Sequence, residues 1–155
     1  MVLVTLGTRL TAHELAHVVE DSGMRVLFYD GECVLCNRSV HLTIRLDRKA
    51  RLRHAALQGA TAKRLLGDLT PEELMSGVTL YDRGEVYRGW RAIAKVGGIL
   101  FPWLAWGYHV LRVWPLPWVL DRLYAFVGRN RYRWFGQYDS CALPPPQWRE
   151  RYIVD

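Results

Sequence analysis

The chain has 155 residues, half of them hydrophobic and 23% charged, so it can bury the core of one ordinary domain. This composition excludes an intrinsically disordered chain, a collagen and a coiled coil. The formal net charge is +6, and all of the excess lies in residues 83–155, because basic and acidic residues balance in residues 1–82. Three cysteines are too few for a disulfide-stapled secreted scaffold, so any cysteine chemistry is expected to be local.

Residues 1–24 are predicted to be an N-terminal extension. No basic residue precedes the short apolar run at Val2–Leu6, so no secretory signal peptide is expected and the protein is predicted to be cytoplasmic. Thr11 and Glu14 form a capping box, which predicts a helix that begins at Thr11 and ends near Gly23.

The predicted N-terminal helix also carries the pattern HExxH at His13, Glu14 and His17. In metalloproteases this spacing places two zinc ligands and a glutamate base on one helical face. Here the extended zinc motif does not follow, and Glu14 already has a capping role, so a solvated helix face is the favoured interpretation.

Residues 25–143 are predicted to form a single α/β domain, followed by a tail at residues 144–155. The predicted elements, in chain order, are strand Arg25–Asp30, helix Cys33–Asp47, strand Arg51–Leu57, short helices Thr61–Leu66 and Pro71–Met75, strand Gly77–Asp82, strand Val86–Arg88 and helix Arg91–Val96. The sequence Asp82-Arg83-Gly84-Glu85 provides hairpin turn chemistry between the last two strands. The first two strands need a crossover, so the sheet is predicted to be mixed, with four strands and flanking helices.

The most apolar part of the chain is residues 99–120, which contain four tryptophans. They are numerous enough to span a bilayer, but Arg112 and the prolines at 102, 115 and 117 argue against a transmembrane helix, and the paired prolines predict a helix break at Trp114. Two interpretations remain. The segment is either a pair of helices packed on each other and on the sheet, or an exposed aromatic surface for a membrane or a protein partner.

The strongest chemical signal is the motif Asp30-Gly31-Glu32-Cys33-Val34-Leu35-Cys36, between a strand and a helix. Cysteines at i and i+3 in the first turn lie on one face, within reach of a disulfide. Cys33 would lie at the helix N-terminus, where unpaired N–H groups and the helix dipole favour a thiolate. We therefore predict Cys33 as the nucleophile, Cys36 as the more buried resolving thiol, and Asp30 as a candidate proton acceptor for Cys36.

Two alternatives to redox chemistry stay open for the cysteine pair. They could be small structural core residues, or they could bind zinc. A Cys3His zinc site would need Cys141 and one histidine to converge on the pair, the candidates being His41, His54 and His109. Without a second CxxC, zinc binding is the less favoured alternative.

The sequence VLFYDGECVLCNRSVHLTIRLDRKARLRHAALQG resembles the opening of the thiol-disulfide oxidoreductase DCC family, thioredoxin-like proteins marked by DxxCxxC. The later GEVYRGWRAI and RNRYRWFG sequences, followed by Cys141, are similar to the C-terminal half of that family. The resemblance covers about residues 25–143. It implies a thioredoxin-like fold, with Asp30, Cys33 and Cys36 as the redox centre and no tightly bound cofactor.

Two positions differ from the usual thioredoxin-like pattern. Val34 and Leu35 lie between the cysteines, where thioredoxin has Gly-Pro. The loop that would carry a cis-proline beside the motif contains Ser76 and Gly77 instead. The resemblance therefore implies that Ser76 and Gly77 face a thiol or disulfide substrate, a protein or a small molecule, without that proline.

Three further features have competing interpretations. The run Arg129–Trp134 interleaves cations with aromatics, as nucleic-acid surfaces do, but a terminal helix with Tyr132 and Phe135 packed inward is favoured, and its arginines could also attract the motif thiolates. Cys141 is either an unreactive tail residue or a third redox cysteine. His54 is predicted to be a satisfied strand histidine rather than a general base.

Overall fold

The computed structural model describes residues 23–71, 73, 77–140 and 145–153. The strands are β1 (Arg25–Tyr29), β2 (Leu52–Ala56), β3 (Val78–Asp82) and β4 (Glu85–Arg88). The helices are α1 (Val34–Leu46), α2 (Ala60–Leu66), α3 (Trp90–Leu100), α4 (Ala105–Val110) and α5 (Leu116–Phe135), with 3-10 turns at Pro102–Leu104 and Pro146–Arg151. The predicted helix Thr11–Gly23, its HExxH pattern, Ser76 and Cys141 lie outside the described residues, as does most of the predicted helix Pro71–Met75.

The four strands form one mixed sheet in the order β2-β1-β3-β4. β1 and β2 are parallel and are joined by the crossover helix α1, whereas β3 runs antiparallel to both β1 and β4. The β3–β4 hairpin turns at Arg83 and Gly84, whose φ angles of 53° and 88° fit a tight primed turn. This arrangement confirms the predicted α/β class and the thioredoxin-like topology.

Both faces of the central strand β1 are buried, and its side chains alternate between them. Leu27 and Leu80 point to the face covered by α3, and Tyr29 points to the part of the same face that α1 covers. Val26 and Phe28 point to the opposite face, where α2 packs. Two helical layers therefore hold β1 at the centre of the domain, and the loop that follows β1 starts from a rigid base.

Helix α3 is longer than predicted. The prediction ended at Val96, before the pair Gly97-Gly98, but the helix continues through both glycines to Leu100. A Cβ at Gly98 would lie 3.2 Å from the Cα of Ala105, so the glycine allows α4 to pack closely on α3. Tertiary contact thus offsets the low helix propensity of glycine.

The C-terminal residues 145–153 pack back onto the edge of the sheet. Tyr152 forms a parallel bridge with His54 of β2, and its ring packs edge-on against Tyr29. Arg151 forms a buried ion pair of 2.6 Å with Asp47 at the end of α1. These contacts cover the strand edge that β2 would otherwise expose.

The apolar segment at residues 99–120 is interrupted after α4, and α5 begins at Leu116. Its four tryptophans, Trp103, Trp106, Trp114 and Trp118, are all exposed. Within the described ranges, no helix has the length and hydropathy needed to cross a membrane. The segment therefore combines a helix packed on α3 with an exposed aromatic surface, and a membrane or protein partner for that surface stays a prediction.

Candidate active site

The motif cysteines lie in the turn that joins β1 to α1. Cys33 is the N-cap residue of α1, in extended conformation, and its Sγ accepts a hydrogen bond of 3.3 Å from the backbone N–H of Cys36. The side-chain amide of Asn37 donates to the carbonyl oxygens of Gly31 and Cys33, at 2.8 and 3.0 Å, which fastens the turn to the first helical turn. A thiolate at this position takes the place of the oxygen acceptors that usually cap helices.

The two thiols have opposite pKa shifts. Hydrogen bonding from the Cys36 side chain, aided by the Cys36 backbone N–H and the charge of Arg131, outweighs burial and lowers the pKa of Cys33 to about 6. The same thiol–thiolate hydrogen bond, together with burial and the negative charge on Cys33, raises the pKa of Cys36 far above its ordinary value. At neutral pH the pair therefore consists of a Cys33 thiolate and a Cys36 thiol.

Asp30 lies at the end of β1 and is buried, but its carboxylate is fully hydrogen-bonded. Oδ1 accepts the backbone N–H of Glu32 at 3.1 Å and the amide of Gln58 at 2.9 Å. Oδ2 accepts from the guanidinium of Arg131 at 2.7 Å and from the hydroxyl of Tyr132. Burial and the hydrogen bond to Asp30 raise the pKa of Tyr132 to about 12, so this hydroxyl remains a donor at neutral pH.

Arg131 brings a buried positive charge to the cysteines from helix α5, 101 residues beyond Asp30. Only 3% of its surface is exposed. A Cβ at Gly77 would overlap Arg131 Nη1 and lie 3.5 Å from Cys36 Sγ, so the guanidinium and the resolving thiol border the same point. The charge of Arg131 lowers the pKa of both thiols. Glycine at position 77, with φ of +74°, makes this approach possible.

The residues that follow α5 cover the motif. Gln137 forms an antiparallel bridge with Cys33, and the backbone N–H of Tyr138 donates to the carbonyl oxygen of Glu32 at 2.8 Å. The side chain of Gln137 also donates to the Glu32 carboxylate at 3.0 Å. Cys33 is 0% exposed and Cys36 is 6% exposed, so the prediction that Cys36 is the more buried thiol is wrong: the segment after α5 lies over the first cysteine.

The structure therefore brings together Asp30, Cys33, Cys36 and Gly77 of the predicted site. Sequence reasoning missed Arg131 as a member of it, although the possibility that an arginine of the run 129–134 attracts the thiolates pointed toward it. In that run Tyr132 packs inward as expected, whereas Phe135 is 43% exposed and the expectation that it packs inward is wrong.

The remaining candidates lie elsewhere. His54 is fully buried in the edge strand β2. Its Nδ1 lies 3.4 Å from the carbonyl oxygen of Arg151, and its Nε2 has no hydrogen-bond partner among the described residues. Burial lowers the pKa of His54 to about 4, so the ring is neutral. His41 stacks on Trp148, with ring centroids 5.1 Å apart. Across the part of the chain that the structure describes, no group of three His, Cys, Asp or Glu side chains could hold a metal ion.

Comparison with known proteins agrees with the arrangement of the motif. Residues 27–137 match the family model described as DCC1-like thiol-disulfide oxidoreductase. The chain is 34% identical over 131 residues to the uncharacterized protein YuxK of Bacillus subtilis (strain 168), covering 83% of this chain and 93% of the relative. It is also 34% identical over 135 residues to the DCC family protein At1g52590, chloroplastic, of Arabidopsis thaliana, covering 84% and 76%. No solved structure matches the chain.

Proposed function

The chain belongs to the DCC1-like thiol-disulfide oxidoreductase family, and on that premise we propose that it catalyses dithiol–disulfide exchange, with Cys33 attacking and Cys36 resolving. One observation carries the proposal: Cys33 lies at the N-cap of α1, where hydrogen bonds from Cys36 lower its pKa to about 6. A thiol with this pKa is mostly ionised at neutral pH while its conjugate thiolate is still a competent nucleophile.

In the first step, the Cys33 thiolate attacks one sulfur of a partner disulfide. A Cys33–partner mixed disulfide forms, the partner's S–S bond breaks, and the other partner sulfur leaves as a thiolate that takes a proton from solvent. In the second step, Cys36 gives its proton to solvent and attacks the Cys33 sulfur. The Cys33–Cys36 bond forms, the Cys33–partner bond breaks, and the second partner sulfur leaves as a thiolate that takes a proton from solvent. Two electrons have then moved from the protein dithiol to the partner, and the Cys33–Cys36 disulfide remains.

The resolving step explains why the high pKa of Cys36 does not block turnover. Two of the causes that raise it, the hydrogen bond to the Cys33 thiolate and the negative charge on that sulfur, exist only while Cys33 is ionised. Formation of the mixed disulfide removes both, and the charge of Arg131 continues to lower the pKa of Cys36. Cys36 therefore becomes a better nucleophile only after Cys33 has reacted, which favours the order of attack proposed here.

Asp30 and Arg131 are proposed to prepare the thiols electrostatically. The ion pair of 2.7 Å between them holds the guanidinium beside the cysteines, and the buried carboxylate keeps that charge compensated. Asp30 as the proton acceptor for Cys36 remains a prediction. Its contacts with Glu32, Gln58 and the two α5 side chains support a positioning role, because all of its acceptor sites are occupied.

The direction of the reaction follows from the compartment in which the protein acts. In a reducing cytoplasm the pair would rest as a dithiol and donate electrons to a protein or small-molecule disulfide. The two cysteines carry both electrons themselves, so the proposal requires no bound cofactor.

The test is equilibration across a glutathione redox series, followed by thiol alkylation and mass measurement of the intact protein. We expect a reversible Cys33–Cys36 disulfide with a defined midpoint, and a stable mixed disulfide that accumulates only in the Cys36→Ser variant. Cys33→Ser is the matched control, because serine keeps an N-cap acceptor but cannot form the mixed disulfide. If both thiols of the native protein stay alkylatable at every redox poise, or if bound metal protects them, the proposed exchange is wrong.

A second pair of variants separates the two roles of Asp30. Asp30→Asn removes the carboxylate charge and its basicity, while Arg131→Gln removes the cation and leaves Asp30 in place. Arg131→Gln should slow resolution and raise the pKa of Cys33 under either role, because its charge lowers the pKa of both thiols. If Asp30 accepts the proton from Cys36, adding Asp30→Asn to Arg131→Gln slows resolution of a preformed mixed disulfide further. If Asp30 acts only by positioning Arg131, the double variant resolves no more slowly than Arg131→Gln alone. The readouts are single-turnover release of a thiol from the mixed disulfide and the pH dependence of Cys33 alkylation.

A further inference from the structure

The outer surface of helix α5 does not contact the cysteine pair. Residues at helical spacing along its inner face, among them Leu120, Tyr124 and Arg131, are partly or fully buried. Beside this inner face, an apolar stripe is exposed to solvent: it consists of Leu116, Val119, Leu123, Phe126 and Trp134. Phe126 and Trp134 lie on this stripe two turns apart, with ring centroids 5.5 Å from one another.

A basic stripe runs beside the apolar one. Arg122, Arg129 and Arg133 repeat at helical spacing and are all exposed. Arg122 lies over the ring of Trp118, 5.0 Å from its centroid. The one acidic residue of α5, Asp121, accepts a hydrogen bond of 2.7 Å from the indole of Trp90 and lies 3.9 Å from Arg91. The outer face of α5 therefore has uncompensated positive charge next to exposed hydrocarbon.

The segment that leads into α5 adds aromatic side chains of the kind found at membrane interfaces. Trp103, Trp106 and Trp114 are 69%, 68% and 84% exposed, and Val113 is 62% exposed. Indole rings combine an apolar body with a polar N–H, so they favour the boundary between lipid headgroups and acyl chains. Single exposed hydrophobic residues are ordinary on protein surfaces. These residues are informative because they follow one another in the segment that leads into the helix with the basic stripe.

From these features we propose that the exposed apolar and basic faces of α5, with the tryptophans before it, bind the surface of an anionic lipid bilayer. The apolar stripe would enter the headgroup boundary while the arginines contact lipid phosphates. A second copy of the chain fits less well, because a symmetric contact through this face would place the arginines of one copy against those of the other. A nucleic acid would satisfy the arginines but leave the aliphatic side chains Leu116, Val119 and Leu123 without an apolar partner.

The test is cosedimentation of the full chain with vesicles of phosphatidylcholine alone or with about 30% phosphatidylglycerol. We expect binding to the anionic vesicles, weak binding to the neutral ones, and release at about 0.5 M NaCl, where surface charges are screened. Each substitution among Arg122→Gln, Arg129→Gln and Arg133→Gln should weaken partitioning about fivefold. The double variant Leu123→Gln/Phe126→Gln should weaken it by about tenfold or more.

Leu42→Gln is the matched control. Leu42 lies on a different helix, α1, and is 57% exposed, the same fraction as Leu123, so its replacement matches that of Leu123→Gln alone in the apolar exposure it alters. This control should leave partitioning unchanged, and all variants should keep the native far-UV circular dichroism spectrum and unfolding midpoint, because each replaces an exposed side chain.

Three outcomes would overturn the proposal: no binding to anionic vesicles, equal binding to neutral and anionic vesicles, or binding that the α5 variants and the Leu42 control reduce equally. A fourth is dimerisation in sedimentation equilibrium that Leu123→Gln/Phe126→Gln abolishes, because the face would then be an interface between copies. The vesicle assay uses neither cysteine, so a Cys33→Ser protein should bind like the native one, and failure here is distinguishable from failure of the exchange reaction.

Discussion

The Cys33→Ser substitution isolates the contribution of the Cys33 thiolate to the free energy of unfolding. Serine retains an oxygen that can accept the N-cap hydrogen bond from Cys36, so the helix start is preserved while the titrating thiol is removed. The reduced native protein and the variant should therefore differ in how their free energy of unfolding depends on pH. A difference between them that is the same at every pH is not attributed to the thiolate.

The magnitude follows from the difference between the folded and unfolded pKa of this thiol. The folded pKa of Cys33 is about 6, and an unfolded cysteine has a pKa near 8.5. Between these values the unfolded chain binds more protons, so stability rises with pH. The contribution is fully present above the unfolded pKa and is lost as pH falls through the folded one. The native protein should gain about 2 kcal/mol relative to the variant between about pH 6 and about pH 8.

The assay is urea unfolding at several pH values in this window, with excess phosphine reductant to keep both cysteines reduced. In the native protein Cys36 titrates well above the window. In the variant the hydrogen bond and the charge of Cys33 are lost, so burial raises the pKa of Cys36 against the charge of Arg131 alone. The pH dependence of Cys36 alkylation in the variant is therefore measured alongside, and its titration is subtracted from the comparison. The reasoning would be refuted if the difference between the two unfolding free energies changed by less than about 0.5 kcal/mol across the window. Cys33 would then be a protonated thiol at neutral pH, and the basis for its role as attacking nucleophile would be lost.

Three further predictions concern the surroundings of the pair. Gly77→Ala should lower the free energy of unfolding in urea by about 2–4 kcal/mol, because it combines positive-φ strain with overlap of Arg131. Gly84→Ala is the control: its φ is +88° and nothing lies within 4 Å of the added Cβ, so it should cost only the strain, about 1–2 kcal/mol. Equal losses would contradict the close approach of Arg131 to Gly77. Burial lowers the pKa of His54 to about 4, whereas an unfolded histidine has a pKa near 6.5. The unfolded chain therefore binds a proton first on acidification, and the protein should lose about 2 kcal/mol of stability between about pH 7.5 and about pH 5. His54→Gln should not show this loss. An unchanged slope in that variant would mean that the histidine is charged in the fold. Tyr138→Pro removes the N–H that holds the segment after α5 over the motif, so maleimide should label Cys33 about fivefold faster. Tyr138→Ala keeps that N–H and should leave the labelling rate unchanged. Identical rates in the two variants would show that the segment does not shield Cys33.

The elements nearest the motif were predictable because their signals are local. The strand ending at Tyr29, the helix that follows Cys33 and the hairpin turn at Arg83-Gly84 all lie within two residues of their predicted bounds. In each case a run of β-branched or aromatic residues, an apolar repeat or a glycine sets the backbone conformation within one short window. Position at the helix N-terminus also predicted that Cys33 ionises more readily than a free cysteine, and its pKa is indeed lowered, whereas the raised pKa of Cys36 was not predicted.

The charge environment of the pair was not predictable in the same way. Asp30 was recognised as a site residue, but its partners Arg131 and Tyr132 lie 101 and 102 residues further along the chain. Which of the arginines between 129 and 133 turns inward depends on how α5 rotates against α1, and three of them lie within five residues. The helix pattern alone leaves that rotation open, because both faces of α5 carry apolar residues.

The sequence by itself therefore determined the strand–turn–helix that presents two cysteines, the mixed sheet beneath it and the position of Cys33 at the helix N-terminus. These follow from backbone preferences and helix-end electrostatics, which act over a few residues. Only the tertiary structure decided that Arg131 compensates Asp30 beside the thiols, that Gln137 covers Cys33, and that the tryptophans near α5 face outward. These outcomes depend on which surfaces pack together, and burial free energy is shared among contacts distant in sequence, so no local window contains them.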